Sequence, residues 1–449
     1  MKQKVFGLMS IIMILCAMVS ACTSTSTPAA ENAPQASDGS ENAEAPVSIT
    51  FWSAPNPTQT VYWQGMADAY MASHPGVSIT VSAIPESPSS EAGIQAAIAG
   101  GTAPAASENI FIGFGEQLAS SSALLPLDEM PGWADLIEAR HMEKTIEGWK
   151  FPDGHYYVLP MYSNAMLWGY RIDILKELGM DAAPRTYSEV IAMGEALKEK
   201  YPDKVVWARS ALGTNTWWER WFDFFMLYYA ASNGTQLSSG ANVTADDASA
   251  VAVLTFLSDL SKDKMLIVEP ATEPFETGFE VMDAIGPWTF TNWAEKYPEL
   301  KLNETYVLTT PPVPDTYPSD QPVKTFADTK GIVFYKQATP EATAAMWDFV
   351  KWVLSDEKND LTWLEKTSLP PARDDLSTNA VFQEYFQQNP QLLAYAAELP
   401  YAIPPMAASK YTEIQTSMGD LAIVPVVTSN ADPATSWNSF KEALASYIQ

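Results

Sequence analysis

VSITFWSAPNPTQTVYWQGMADAYMASHPGVSITVSA, residues 47–83, carries the reading that decides the fold. Val47, Ile49 and Phe51 alternate with Ser48, Thr50 and Trp52, the two-residue period of a strand. From Gln59 to Ser73 the apolar positions Tyr62, Met66, Ala69 and Tyr70 recur at helical spacing, and His74-Pro75-Gly76 stops the run. Val77, Ile79 and Val81 then alternate again. Working outward, Ser90 to Ala99 reads as a second helix closed by Gly100-Gly101, and Asn109 to Ile112 as a third short strand. This βαβαβ order predicts an α/β fold with a parallel sheet covered by helices. Ligands of such sheets gather beyond the carboxyl ends of the strands.

A second α/β unit is expected from about Val158. Thr186-Tyr187-Ser188-Glu189 is a capping box that opens a helix to about Glu199. Thr244 is read as the cap of a helix running to about Ser261. Thr339-Pro340 starts another, with Met346, Phe349, Val350 and Val353 as its apolar stripe. The C-terminal third reads as mostly helical, ending in Trp437 to Ile448. At ~100–200 residues per domain, 449 residues with 47% hydrophobic side chains predict two or three domains with full cores.

The exclusions are equally informative. Lys+Arg number 26 against 54 Asp+Glu, a formal charge of −28, so a basic patch for nucleic acid or anionic lipid is not expected. Two cysteines make no disulfide framework, and His74, His141 and His155 show no metal-ligand spacing. P-loop, His-Glu-x-x-His, Cys-x-x-Cys and Gly-x-Ser-x-Gly motifs are absent from the sequence. Gly113-Phe114-Gly115 imitates the start of a dinucleotide fingerprint, but Leu118 stands where its third glycine should be. No cofactor, metal or catalytic residue is therefore expected, although carboxylate pairs are too numerous in the sequence to show which converge. Asn233-Gly234-Thr235, Asn242-Val243-Thr244 and Asn303-Glu304-Thr305 match the glycosylation sequon without further meaning.

The N-terminus reads as an address. Lys2 and Lys4 precede an apolar stretch from Leu8 to Val19, too short to span a bilayer comfortably and right for a secretory signal. Val19-Ser20-Ala21-Cys22 resembles the lipobox of bacterial lipoproteins, so residues 1–21 are expected to be removed and Cys22 lipidated. The mature charge would then be −30, since two lysines and no acids leave with the signal. Residues 23–46 hold no large apolar side chain and cannot fold alone. As a flexible tether they would reach ~25–30 Å.

Aromatic residues supply the positive functional signal. There are 15 Trp and 19 Tyr, many in turn-rich segments instead of core stripes. Trp52 ends the first strand, and Gly286-Pro287-Trp288 follows the apolar run Val281 to Ile285. Tyr162 and Asn164 follow Leu159-Pro160. Trp221, Phe225 and Tyr228 fit a buried helix stripe, whereas Trp217 and Trp218, after Gly213-Thr214-Asn215, are freer to face a cleft. Aromatic faces suit the C–H faces of sugars, and Asn, Glu and Arg satisfy hydroxyls through directional bonds.

Eight segments in order, from Val47 to about Leu376, make a specific resemblance. They are Ile49-Thr50-Phe51-Trp52, His74-Pro75-Gly76-Val77-Ser78-Ile79, Ile94 to Pro104, and Leu124-Leu125-Pro126-Leu127-Asp128. Next come Asp153-Gly154-His155-Tyr156-Tyr157-Val158-Leu159-Pro160, Tyr170-Arg171-Ile172-Asp173-Ile174-Leu175, Gly286-Pro287-Trp288 and Leu369-Pro370-Pro371-Ala372-Arg373. The chain resembles the extracellular solute-binding proteins of ABC sugar importers, the sugar-type family 1 that includes maltose-binding protein.

The resemblance implies a two-lobed, type II periplasmic-binding fold that closes on a ligand like a hinged trap. Lobe one would comprise 46–158 and 329–367, and lobe two 159–328 and 368–449, with crossovers near Val158–Met161, Phe326–Lys330 and Glu365–Ser368. It also implies cleft contacts at Trp52, Glu86, Phe114, Tyr162, Asn164, Trp288 and Arg373. Trp52 and Trp288 would stack; Glu86, Asn164 and Arg373 would bond hydroxyls. Three departures stand out: Ala105 replaces the aspartate expected after Pro104, with Glu108 the nearest acid; Arg171 replaces an asparagine; and Ala327-Asp328-Thr329-Lys330 replaces a glycine-rich turn. The implied function is capture of a carbohydrate, most naturally an oligosaccharide, by a monomeric membrane-anchored lipoprotein that docks on an ABC permease. A sugar-sensing or adhesion lipoprotein on the same fold, and a secreted glycoside hydrolase with two carboxylates ~5–9.5 Å apart, are the rival readings.

Overall fold

Strands β1 (Val47–Ser53) and β2 (Val77–Ala83) lie parallel and in register, from Val47 opposite Val77 to Ser53 opposite Ala83. The computed structural model describes residues 47–86 and 89–448; the expected signal, Cys22 and the expected tether lie outside them. Between the two strands runs α1 (Pro57–Ser73). It starts where Asn56 Oδ1 accepts from Thr58 N at 2.9 Å and Pro57 presets the first turn. Tyr62, Trp63, Ala67 and Tyr70 form its buried side. It stops at His74, whose ring stacks on Tyr70 at 3.9 Å.

α2 (Ser90–Gly100), capped by Ser89, leads into β3 (Ala106–Ile110), and α3 (Ile112–Ser120) follows at once. The third strand thus sits about three residues earlier than expected. Ile110-Phe111-Ile112 is apolar throughout, and such a run fits a strand end or a helix start equally well. The near-miss glycines sit in α3 for packing reasons. A Cβ on Gly113 would come 2.7 Å from the Tyr411 ring, and one on Gly115 2.5 Å from Val158.

Further along the chain come β4 (Leu159–Ala165), β5 (Leu167–Tyr170), β6 (Met282–Ile285), β7 (Val307–Thr309), β8 (Thr325–Phe334) and β9 (Ala402–Ile403). Among the described residues the larger sheet has six strands in the order β9-β8-β3-β1-β2, with β4 paired to β8. A smaller sheet orders β6-β5-β7, all antiparallel. β8 runs antiparallel to both β3 and β4, so it is stitched to each by backbone bonds. One apolar core runs through both sheets, from Phe51, Trp63 and Phe349 to Trp168 and Trp207.

The capping box at Thr186 forms with both of its reciprocal bonds and opens the helix Tyr187–Lys200. Thr339 caps Pro340–Leu354, whose stripe of Met346, Phe349, Val350 and Val353 is fully buried. The helix Asp247–Lys262 departs from expectation. Asp246, not Thr244, caps it, because the Thr244 hydroxyl donates instead to Gln236 O at 2.7 Å. Two of the sequon asparagines, Asn233 and Asn303, occupy left-handed turn positions, φ 52° and 66°.

Candidate ligand-binding groove

The carboxyl ends of β2 and β3 open onto a groove of about 490 Å³, within the range of small-molecule sites. Glu86, Ser89, Ser90 and Glu91 reach it from the turn after β2 and the start of α2. Asn109 and Phe111 reach it from the end of β3, where Asn109, at φ 68°, lies at the register shift between β3 and β8. The facing wall is the short 3₁₀ segment Trp217–Phe222, and Asp328 and Lys330 of β8 contribute from below.

Ring contacts knit these walls together. Phe111 lies 5.6 Å from Trp217 and 5.4 Å from Trp221, and Trp217 meets Trp221 edge-on at 5.3 Å. Trp221 Nε1 donates to the Tyr411 hydroxyl at 2.6 Å, which fixes its indole plane. Phe222 continues the belt to Trp288 at 5.7 Å. Trp218 and Trp288 are 44% and 47% exposed, so their faces are open to a partner. Trp288 can fold back here only because residue 286 is glycine: a Cβ there would come 2.1 Å from the indole.

The ribbon of β4 and β8 sorts polar groups by face. Lys330 stands opposite Tyr162 and Asp328 opposite Asn164, and alternation places all four on one face. Lys330 Nζ lies 4.0 Å from Asp328 Oδ1. Burial pulls the ammonium down in pKa, but Tyr162 and Asp328 beside it more than offset this, and it is held above the usual lysine range. Asn164 is fully buried, yet neither its amide nitrogen nor its oxygen has a partner among the described residues. Buried amides are rarely left so unless something else binds them. Nearby, Glu108 Oε1 accepts from Ala54 N at 2.9 Å, and burial pushes its carboxyl up to about 7.

The expected contact residues distribute unevenly. Glu86, Trp217 and Trp218 line the groove, Trp288 adjoins it through Phe222, and Tyr162 and Asn164 share the face that carries Asp328 and Lys330. Trp52 is half-buried and packed against the main core. Phe114 is a buried core side chain beside Phe111, which is the ring that reaches the groove. Arg373 is 1% exposed and bound up with Asp360 and Asp375. It lines a separate pocket with Ser163, Ala327 and Thr329, the opposite face of the β4–β8 ribbon. Phe111, Phe222, Asp328 and Lys330 were not singled out from sequence. Phe111 sits in an apolar run that signals only core, and the pair on β8 replaces an expected glycine-rich turn.

The Arg373 site is an ion-pair relay. Arg140, wholly buried, donates to Pro160 O and Met161 O at 2.6 and 2.7 Å and pairs with Asp360 at 3.0 Å. Asp360 also accepts from Arg373 at 3.1 Å. One carboxylate thereby joins the start of β4, the helix Glu357–Thr367 and the segment after it. Among the described residues no group of three or more His, Cys, Asp or Glu is placed to hold a metal ion, and no helix is long and apolar enough to cross a membrane.

Comparison with known proteins places this architecture. The family model described as bacterial extracellular solute-binding protein matches residues 65–394. The uncharacterized protein lmo0859 of Listeria monocytogenes EGD-e is 50% identical, with a TM-score of 0.86 over 90% of this chain and 100% of that one. The cyclic alpha-maltosyl-1,6-maltose binding protein of Arthrobacter globiformis is 20% identical, with a TM-score of 0.72 over 90% and 99% of the two chains. The sugar-binding protein MalE of Xanthomonas citri is 16% identical, with a TM-score of 0.71 over 90% and 97%. A search of curated proteins returns no match. The mixed α/β fold is that of two-lobed periplasmic binding proteins.

Proposed function

The chain belongs to the bacterial extracellular solute-binding proteins, and on that premise we propose that it captures a carbohydrate in the groove described above and delivers it to an ABC permease. The observation that carries the reading is the aromatic belt from Phe111 through Trp217 and Phe222 to Trp288, set beside an unpartnered buried Asn164. Flat rings cover the C–H faces of a pyranose, and the amide and carboxylates take its hydroxyls. Two neighbours of the same fold point the same way, a cyclic maltosyl-maltose binding protein and a receptor crystallised with acarbose, while a third was crystallised with glycerophosphocholine. Ser89, Glu91 and Trp217 also line a second groove of about 670 Å³, so the surface continues past one sugar unit and suits an oligosaccharide.

In this reading the lobes divide at β4 and β8, residues 46–158 with 329–367 against 159–328 with 368–449. The groove then lies between them, with Glu86, Glu91 and Phe111 on one lobe and Trp217 to Phe222 on the other. Contacts to both favour the closed state. Trp52, Trp288, Glu86, Tyr162, Asn164, Trp217 and Trp218 are the proposed contacts; Phe114 and Arg373 act by packing and by ion pairing. The cycle requires no bond chemistry from this chain. Lipidation at Cys22 would anchor a monomeric receptor to the membrane's outer side.

Calorimetry and thermal-shift measurement against mono- and oligosaccharides, amino acids and polyamines test the proposal. A carbohydrate that binds saturably, without turnover, and raises the melting temperature is the expected outcome. At a hundred times Kd the gain is about 2.7 kcal/mol. A response to amino acids or polyamines alone would keep the fold and refute the carbohydrate.

A further inference from the structure

The two contiguous grooves carry an unbalanced set of charges. Glu86, Glu91 and Asp328 line the first, and Glu91, Glu413 and Asp420 the second. Lys330 is the one cation among the described lining residues, and it faces Asp328. Among the described residues Glu86, Glu91, Glu413 and Asp420 make no direct ion pair; Glu91 acts on Lys330 through its charge at longer range, and the other three have no cation beside them in the two grooves. Trp217 stands between the two halves, since it lines both, and Trp218 opens beside it. An anionic ligand would meet this surface with repulsion and no guanidinium to bind it. A neutral sugar would gain hydrogen bonds and ring stacking, but nothing from the charge. A protonated amine would gain both carboxylate pairing and the attraction of an indole face for a cation.

We propose that the groove selects carbohydrates bearing a protonated amino group, an amino-sugar oligosaccharide, over neutral or acidic ones. The inference rests on the carbohydrate reading above and narrows it. Carboxylates without a direct ion pair stand on both sides of Trp217, the faces of Trp218 and Trp288 are open, and the single cation is already paired. Buried Asn164, unpartnered on the face that carries Asp328, serves the hydroxyls common to all sugars and does not itself discriminate.

Three oligosaccharides identical but for position 2 of each ring test it: β-1,4-linked tetramers of glucosamine, N-acetylglucosamine and glucose, titrated calorimetrically into the purified protein at mildly acidic pH, where the ring amines are protonated. The amine is expected to bind about tenfold or more tightly than the hydroxyl compound. Salt should erode that ratio, because the carboxylates are exposed to screening. The variants Glu91→Gln and Glu86→Gln should each reduce the ratio of amine to hydroxyl affinity. Equal affinities, a salt-insensitive ratio, or a ratio unmoved in both variants would overturn the proposal. If all three fail to bind while a neutral maltodextrin binds, the amine preference is refuted and carbohydrate capture stands. Failure of every carbohydrate would instead refute the parent reading.

Discussion

Trp288 owes its position to a side chain that is missing two residues earlier. Its indole overlies Gly286 so closely that any Cβ there would displace it, and it remains nearly half exposed. Trp288→Ala should therefore weaken sugar binding by roughly tenfold, about 1.4 kcal/mol, with the melting temperature almost unchanged; calorimetry beside a thermal melt separates the two. Unchanged affinity would remove it from the site. Arg373 presents the reverse case. Its guanidinium is engaged by Asp360 and Asp375 away from solvent. Asp360→Ala would strip one partner from each of two buried arginines, and the loss expected from denaturant unfolding is about 3–5 kcal/mol. The sequence shows Trp288 and Arg373 alike as an aromatic and a polar residue within two positions of a proline, since spacing along the chain records no burial. The resemblance implies Phe114 as a cleft contact, whereas Phe111 is the ring that lines the groove; both belong to one apolar run, and spacing along the chain does not record which ring faces outward.

Elements were more legible than side chains, for a reason that the first hundred residues illustrate. β1 and β2 each carry a clear alternation, and α1 and α2 each end on a stop signal. The third strand lacks the stop signal, so its boundaries slipped. Thr244 and Asp246 are both competent caps, and the choice between them depends on Gln236 O, eight residues away, which local pattern cannot register. The capping box at Thr186 is the better test of local logic, because both reciprocal bonds form on an exposed helix start. Thr186→Ala should cost about 1 kcal/mol, measured as a lower urea midpoint with an unchanged slope. The resemblance implies a crossover at residues 326–330 and the counterpart of a glycine-rich turn at 327–330, and all of these lie inside β8, a ten-residue strand paired on two sides. Its alternation is masked because both faces are covered.

At the scale of the whole molecule, stability should depend on pH through Glu108. Its carboxyl lies inside the main core, and burial raises it from 4.5 to about 7. The folded state thus holds a proton that the unfolded chain releases at lower pH. The stabilisation from that proton is present below about pH 4.5 and lost as pH rises through 7, by up to about 3 kcal/mol. Glu108→Gln keeps an acceptor for Ala54 N and cannot ionise. Urea unfolding between pH 5 and 8 should show the parent protein losing stability with rising pH and the variant losing less; parallel curves would exclude Glu108 as the source. Burial likewise raises the carboxyls of Glu280 and Asp283, so they add to the slope in the same direction and remain in the variant.

The edge-on contact of Trp217 with Trp221 has an optical consequence. Two indoles 5.3 Å apart and nearly perpendicular exchange excitation within their lifetimes. Light absorbed anywhere along the belt therefore reports on whatever touches Trp217, and a molecule settling on that one face would alter the near-ultraviolet dichroism and emission of the group as a whole. The groove carries its own dye, and its filling can be followed in real time without a label.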